Sequence, residues 1–180
     1  MIKNRQWIAA FSRTGSEIYE LSKLFHRFPD RIVSNTPFST VNEQLKSEYV
    51  GEWIVLPKSP TIDHYHRAFS IDNKDVIITL HGWLKIIPPE VCDSYFILNG
   101  HPGDIETYPE LRGFNPQEKA FKLSLPTSGS VIHKVTSHVD CGEIVARQKI
   151  NISGLYLEEV YEKLHSNSID LWYKYLTSLL

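Results

Sequence analysis

Residues 95–103 read YFILNGHPG, and the prediction of the fold starts from them. The run from Tyr95 to Leu98 is apolar and predicts a short buried strand. The residues that follow, from Asn99 to Gly103, include two glycines and a proline, which are typical of the end of a strand. Asn99 and His101 are two residues apart, so in an extended chain both side chains point the same way, beyond the carboxyl edge of a sheet. An amide and an imidazole are therefore expected side by side at that edge.

The rest of the chain alternates strand patterns with helix patterns. Four further apolar runs, each bounded by turn residues, predict strands near 6–11, 31–35, 53–57 and 75–80. Segments 130–135 and 143–150 alternate apolar and polar residues and predict an antiparallel hairpin. An apolar stripe from about Leu155 to Leu176 predicts a long C-terminal helix packed across the sheet. The expected fold is α/β: a single Rossmann-like domain with a mostly parallel sheet, a C-terminal antiparallel hairpin and a long C-terminal helix.

Composition narrows the class of protein. The 180 residues are expected to form one domain, 1–180. A formal charge of −2 provides no electrostatic reason to expect nucleic-acid or membrane binding. The sequence shows no secretory signal and no long apolar span, and its two cysteines do not form a CxxC pair. We therefore expect a cytoplasmic protein, monomeric or homodimeric, that acts on a small molecule.

A second polar cluster follows the predicted strand at 130–135. Val139-Asp140-Cys141-Gly142 places a carboxylate just before a turn glycine. An amide, an imidazole and a carboxylate can therefore converge at Asn99, His101 and Asp140. The alternative is that these residues have only a structural role, because Asn-Gly is a common turn and aspartate before glycine is a common turn or cap residue.

The first strand leads into small residues and then into a helix. Ser12 to Glu17 form this connection, and free backbone N–H groups at a helix start can hold a phosphate. The alternative is a simple turn in which Thr14 or Ser16 caps the helix.

Several of these motifs together resemble the signature of the folate-dependent formyltransferases. This family includes glycinamide ribonucleotide formyltransferase and the catalytic domain of methionyl-tRNA formyltransferase. The matching motifs are Asn99-x-His101-Pro102, Arg112-Gly113, Gly129-x-x-x-His133-x-Val135 and Val139-Asp140-x-Gly142, and the resemblance covers about residues 7–152. It implies transfer of a formyl group from 10-formyltetrahydrofolate, the co-substrate, to a primary amine, without a metal.

The resemblance also implies roles for individual residues. The implied catalytic residues are Asn99, His101 and Asp140, with His133 in support, although a strand histidine is also common as a half-buried structural residue. The implied folate-binding residues are Leu84, Ile86, Ile87, Val139 and Asp140. Leu84, Ile86 and Ile87 belong to segment 84–89, in which two prolines argue against an ordinary helix. The implied substrate-binding residues are Thr14, Gly15, Ser16 and Pro102.

Formyl transfer requires what these side chains offer. Asn99 can donate to the formyl oxygen as negative charge grows there, and a cationic His101 can add a charge-assisted donor. Asp140 can raise the basicity of the imidazole and accept, directly or through water, the proton that the amine loses.

The acceptor amine remains open among alternatives. A phosphorylated amine such as glycinamide ribonucleotide is favoured by Thr14-Gly15-Ser16. An amino-sugar nucleotide is favoured by His101-Pro102-Gly103 and by Arg112-Gly113, which resemble the sugar N-formyltransferases. A non-catalytic folate- or nucleotide-binding module is the second alternative. Two features bear on the choice: Glu17 stands where the ribonucleotide enzymes typically have asparagine, and loop 103–112 is expected to overhang the site.

Overall fold

The computed structural model describes residues 5–71 and 75–180, and its strands form one seven-stranded sheet. In chain order the strands are β1 (Gln6–Phe11), β2 (Arg31–Ser34), β3 (Glu52–Val55), β4 (Val76–His81), β5 (Ile97–His101), β6 (Thr127–Lys134) and β7 (Ile144–Asn151). Across the sheet the order is β3-β2-β1-β4-β5-β6-β7. The first five strands are parallel, β6 is antiparallel to β5, and β7 is antiparallel to β6. The predicted α/β fold with a mostly parallel sheet and a C-terminal antiparallel hairpin is confirmed.

Helices and 3₁₀ turns connect the strands. The helices are α1 (Ser16–Phe25), α2 (Glu43–Glu48), α3 (Ile62–Phe69), α4 (Pro89–Ser94), α5 (Pro116–Lys122) and α6 (Leu157–Leu176), and the 3₁₀ turns are Phe38–Thr40 and Pro109–Leu111. The long C-terminal helix is confirmed as α6. Its Trp172 is fully buried in a cluster that also contains Leu98 of β5 and Ile132 of β6, so this helix packs across the sheet.

Segment 84–88 is not helical, as the two prolines at 88 and 89 predicted, and a helix begins only at Pro89. Pro88 is the N-cap of α4 and Pro89 is its first residue. Proline is tolerated at that position because the first N–H groups of a helix have no intrahelical acceptor. This irregular segment lies between β4 and α4.

Strand β5 extends further than predicted. It continues through Asn99 and Gly100 to His101, so the Asn-Gly pair does not form a turn. A Cβ atom at Gly100 would lie 2.3 Å from Trp172 Nε1, so the glycine permits α6 to approach the strand. Since the chain stays extended, the side chains of Asn99 and His101 lie on the same side of the sheet.

Candidate active site

A cavity of about 770 Å³ lies at the carboxyl ends of β1, β4 and β5. From β1 the chain continues to β2 on one side, whereas from β4 it continues to β5 on the other. Ligands of open α/β sheets bind at such a reversal of strand order. The cavity has the volume of a small-molecule site, typically about 300–1,000 Å³. All twelve residues that the sequence indicated as site residues line it.

Asp140 is at the centre of the polar cluster in this cavity. Its Oδ2 atom lies 3.3 Å from His101 Nδ1, and its Oδ1 atom lies 3.3 Å from His133 Nε2. The Asn99 amide nitrogen lies 3.1 Å from His133 Nε2 and 3.5 Å from Asp140 Oδ1. The amide, imidazole and carboxylate that the sequence indicated therefore do converge, and His133 from β6 joins them.

Hydrogen bonds to backbone carbonyls define the protonation pattern of both histidines. His101 Nε2 lies 2.9 Å from Leu111 O, and His133 Nδ1 lies 3.0 Å from Lys134 O. A carbonyl only accepts, so each of these nitrogens carries a proton. In the neutral rings the other nitrogen, which faces Asp140, has a lone pair. At His133 that lone pair accepts an Asn99 N–H, whereas at His101 it faces the carboxylate.

The cluster is therefore built to gain a proton. One proton placed between His101 Nδ1 and Asp140 would replace a contact between two lone pairs by a hydrogen bond. Burial lowers the pKa of His101, and this outweighs the opposite effects of Asp140 and the Leu111 carbonyl. Burial raises the pKa of Asp140, but His133 and His101 in their charged forms, together with the Gly113 N–H, hold it below its ordinary value. Both groups therefore favour their basic forms.

A loop between β5 and α5 holds Asp140 in place. Gly113 donates its N–H to Asp140 Oδ2 at 2.8 Å, and Arg112 Nε donates to the Asp140 carbonyl at 3.2 Å. Asp140 itself has a left-handed backbone with φ of 50°, a conformation that aspartate adopts more readily than most residues. The Arg112-Gly113 motif thus contacts Asp140 directly. Leu111 contributes through its backbone carbonyl, which accepts a hydrogen bond from His101, and its side chain does not indicate this role.

Part of the cavity lining is apolar. Leu84, Ile86 and Val139 line the cavity and are exposed, and Leu84 also donates its N–H to Ser12 Oγ at 2.9 Å. Ile87 lines the cavity as well but is almost fully buried in the core cluster beside β4. Phe114, which the sequence analysis missed, is 69% exposed and also lines the cavity. The signal that would have indicated it is a large aromatic residue next to the Arg112-Gly113 motif.

The loop after β1 also lines the cavity. Gly15 is the N-cap of α1 and has a left-handed backbone with φ of 74°. Neither Thr14 nor Ser16 occupies the N-cap position; the Thr14 hydroxyl accepts a long hydrogen bond of 3.4 Å from the Ser16 N–H. A Cβ atom at Gly15 would lie 2.7 Å from Leu45 Cδ2. The glycine is therefore required by the backbone and by packing, whatever ligand binds there.

Helix α6 forms a wall of the cavity, although its pattern indicated a core helix only. Tyr161, Glu162, His165 and Ser168 line the cavity. Their spacing places them on one side of a helix. His81 at the end of β4 also lines the cavity, and its Nδ1 atom lies 3.1 Å from Glu17 Oε1. Sequence reasoning assigned no role to these residues, because their partners are distant in the chain.

Comparison with known proteins agrees with this geometry. Residues 42–174 match the family model described as formyl transferase. The chain belongs to this family. The match begins after the first loop, so residues 12–17 lie outside it.

Two curated relatives are both phosphoribosylglycinamide formyltransferases. The protein of Bacillus subtilis (strain 168) is 23% identical over 145 residues, which are 74% of this chain and 71% of the relative. The protein of Dictyostelium discoideum is 32% identical over 101 residues, about half of each chain at 49% and 48%. Among solved structures, phosphoribosylglycinamide formyltransferase from Anaplasma phagocytophilum superposes with a TM-score of 0.80 at 22% identity, over 96% of this chain and 84% of that one. This likeness shows that the two share a fold.

In residues 5–71 and 75–180, no group of three or more histidine, cysteine or acidic side chains is arranged to hold a metal ion. No helix in the same residues is both long and apolar enough to cross a membrane.

Proposed function

We propose that the protein transfers the formyl group of 10-formyltetrahydrofolate to a primary amine. The observation that supports this most directly is the cluster of Asn99, His101 and His133 around Asp140. It combines an amide donor with a buried base that lacks one proton, and both lie in a cavity of suitable size. Membership of the formyl transferase family supports the same reaction.

The apolar side chains of the cavity lining fit a folate. Ile86 is 73% exposed and Phe114 is 69% exposed, and both line the cavity with Leu84 and Val139. Large apolar side chains exposed together around a cavity are typical of a ligand site. The folate would supply an electrophilic formyl carbon attached to a nitrogen that can leave. The chain would hold its ring system against these side chains and the backbone of segment 84–87.

Asn99 is proposed to stabilise the formyl oxygen. One of its amide N–H groups is directed to His133, whereas the other makes only a long contact of 3.5 Å with Asp140. The second N–H is therefore free to turn to an oxygen that becomes negative when the amine attacks. A preorganised donor of this kind typically contributes about 10²–10³-fold to the rate.

The Asp140 cluster is proposed to carry the proton. The attacking amine must lose a proton, and the leaving nitrogen must gain one. The lone pairs facing each other at His101 Nδ1 and Asp140 Oδ2 provide a place for that proton between the two steps. In this arrangement neither ring nitrogen of His101 faces the open cavity, because Nε2 donates to Leu111 O. His101 is thus proposed to act on the proton instead of donating directly to the formyl oxygen.

The acceptor is proposed to be a small-molecule amine. The relatives support glycinamide ribonucleotide, the phosphorylated amine named in their descriptions, as the reference acceptor. Thr14, Gly15, Ser16 and Pro102 line the same cavity. The amino-sugar nucleotide alternative places a different amine in the same cavity.

The proposal is tested by following an isotope-labelled formyl group. The protein is incubated with labelled 10-formyltetrahydrofolate and a panel of phosphorylated, unphosphorylated and sugar-nucleotide amines, and the products are identified by mass spectrometry. We expect label in at least one amine, a loss of activity in Asn99→Ala with folate binding retained, and no effect of a chelator. Folate binding without transfer to any amine would favour a non-catalytic binding module. Label found only in formate would indicate hydrolysis and contradict the proposal.

A further inference from the structure

Glu17 places a second carboxylate in the cavity, in addition to Asp140. It is the second residue of α1 and lines the cavity beside Thr14 and Ser16. His81 Nδ1 lies 3.1 Å from Glu17 Oε1, and the Ser168 hydroxyl donates to the same oxygen at 3.2 Å. Residues of α1, β4 and α6 therefore converge to orient one side chain.

The donor from His81 is fixed by a chain of buried hydrogen bonds. Trp7 Nε1 donates to Thr79 Oγ1 at 2.8 Å, and Thr79 Oγ1 lies 2.8 Å from His81 Nε2. If His81 is neutral, Nε2 accepts from Thr79 and the ring proton is on Nδ1, facing Glu17. If His81 is charged, both nitrogens donate and the Thr79 hydroxyl turns to the Ile8 carbonyl, 3.4 Å away. Both states supply an N–H to Glu17.

The second carboxylate oxygen of Glu17 is available to a ligand. His81 and Ser168 both reach Oε1, and Oε2 has no hydrogen-bond partner in the described ranges 5–71 and 75–180. The side chain retains 19% of its exposure, on the wall of the cavity. A carboxylate oxygen only accepts hydrogen bonds, as do the oxygens of a phosphate dianion. In addition, the negative charge of Glu17 already compensates the positive N-terminal end of α1. This weakens the attraction of that helix end for a second anion.

We infer that Glu17 selects an acceptor amine whose far end presents hydrogen-bond donors, hydroxyl or ammonium groups, in place of a phosphate dianion. This inference rests on the proposed function, since it names the acceptor class for the same cavity. Glu17 acts here as a specificity-determining residue. It contacts the part of the acceptor remote from the amine.

Other charged residues that line the cavity agree with this inference, with one exception. Glu162 adds a further carboxylate, and His165 is paired with Glu20 at 3.0 Å. Arg13 is the exception: it is an exposed cation on the cavity wall and makes no ion pair with any residue in the described part of the chain. Binding of a phosphate here would require Arg13 to outweigh Glu17. Arg13 therefore provides the competing hypothesis that the experiment must address.

The test compares glycinamide ribonucleotide with the same molecule lacking its phosphate. We expect the wild-type protein to use the unphosphorylated amine at least about tenfold better in kcat/KM, and Glu17→Gln to raise kcat/KM for the phosphorylated amine by at least about tenfold, chiefly through KM. Glu158→Gln is the matched control, because it removes one exposed carboxylate from α6 without altering the cavity wall. Arg13→Gln should leave use of the phosphorylated amine within about twofold.

A binding measurement keeps the inference testable without turnover. Ribose 5-phosphate is titrated into wild-type protein and Glu17→Gln, and affinity is measured by calorimetry. We expect Glu17→Gln to bind it at least about tenfold more tightly, and Glu158→Gln to bind it as the wild type does. Equal affinity in wild type and Glu17→Gln, a wild-type preference for the phosphorylated amine, or a large loss in Arg13→Gln would overturn the inference. Absence of formyl transfer to every amine would overturn the proposed function alone, because this binding result would still decide the role of Glu17.

Discussion

Asp140 and Glu17 are two carboxylates in the same cavity, each beside a buried histidine, but their oxygens are used differently. Both oxygens of Asp140 have protein neighbours: Gly113 N and His101 Nδ1 at Oδ2, and Asn99 and His133 at Oδ1. At Glu17 the protein occupies only Oε1. The surroundings of Asp140 therefore suit a group that exchanges a proton with its neighbours. Those of Glu17 suit a group that contacts a ligand.

The two carboxylates also differ in what supports them. Asp140 lies in an irregular loop with a left-handed backbone and depends on a second loop for its Gly113 and Arg112 contacts. Glu17 lies on a ten-residue helix, and its donors come from the end of a central strand and from α6. Changes in the loops should therefore affect catalysis more than acceptor choice, and changes around α1 should have the opposite effect.

The largest expected effect is that of Asp140→Asn. The substitution keeps the shape of the side chain but removes the negative charge and places an N–H where His101 or His133 presents a lone pair. We expect kcat to fall about 10³-fold, within the range for loss of general acid–base catalysis. Steady-state kinetics with the best acceptor measures this. If Glu17→Gln lowered kcat as much as Asp140→Asn, the assignment of different roles to the two carboxylates would be wrong.

The next effect is that of Asn99→Ala. Loss of one preorganised donor should lower kcat by about 10²–10³-fold while folate affinity stays near the wild-type value. Because Asn99 and Asp140 contact each other and share His133, the double variant should lose less activity than the product of the two single losses. Losses that multiply exactly would indicate that the two residues act independently.

Much of the Asp140 side of the cavity followed from local sequence pattern. The apolar run before Asn99 predicted the strand, and the two-residue spacing to His101 predicted a shared direction. The break expected at Asn99 did not occur, because Gly100 serves the approach of Trp172 instead of a turn. That contact joins residues far apart in the chain, whereas secondary-structure propensity depends only on residues close together in sequence.

The Glu17 side was only partly predictable. The sequence placed a carboxylate at the start of the first helix and raised its conflict with a phosphate. The pairing of Glu17 with His81 and Ser168 depends on how α1, β4 and α6 pack together, and no local pattern encodes it. Likewise, the bonds from Gly113 N and to Leu111 O involve backbone atoms, which every residue type provides.

A smaller effect on catalysis is expected from Arg147→Ala. Arg147 pairs with the fully buried Asp104 at 2.8 Å and also contacts Glu106 and Thr107, so it holds the loop that carries Leu111 and Gly113. Breaking this pair should lower the free energy of unfolding by about 2–3 kcal/mol, less than for a fully buried pair because Arg147 is partly exposed. We expect kcat to fall about tenfold through misplacement of the Asp140 contacts.

Acceptor preference separates this loop from the Glu17 side. In Arg147→Ala the ratio of kcat/KM values for the phosphorylated and unphosphorylated amines should stay at the wild-type value. Lys149→Ala is the matched control, since Lys149 lies on the same strand but 3.9 Å from the Asp104 carboxylate. A changed ratio would show that the two sides of the cavity are coupled.

The smallest expected effect is on the pH dependence of stability, and it again concerns the Asp140 side. Burial holds the pKa of His101 below its ordinary value. Asp140 and the Leu111 carbonyl raise this pKa, whereas the charges of His133 and Lys119 lower it further. The folded protein therefore binds fewer protons at His101 than the unfolded chain does. This contribution to stability is fully present above the unfolded pKa of about 6.5 and is lost as pH falls through the lower folded value.

Wild-type protein should thus lose stability below about pH 6.5, by up to about 1.4 kcal/mol per pH unit from this group. Urea unfolding at successive pH values should show that the free energy of unfolding depends less steeply on pH in His101→Gln than in the wild-type protein. Because His101 and Asp140 lie 3.3 Å apart, their titrations are shared, and the comparison is made above about pH 4, where Asp140 stays ionised. An unchanged slope in His101→Gln would mean that the proton is taken up elsewhere and that His101 is not part of the base.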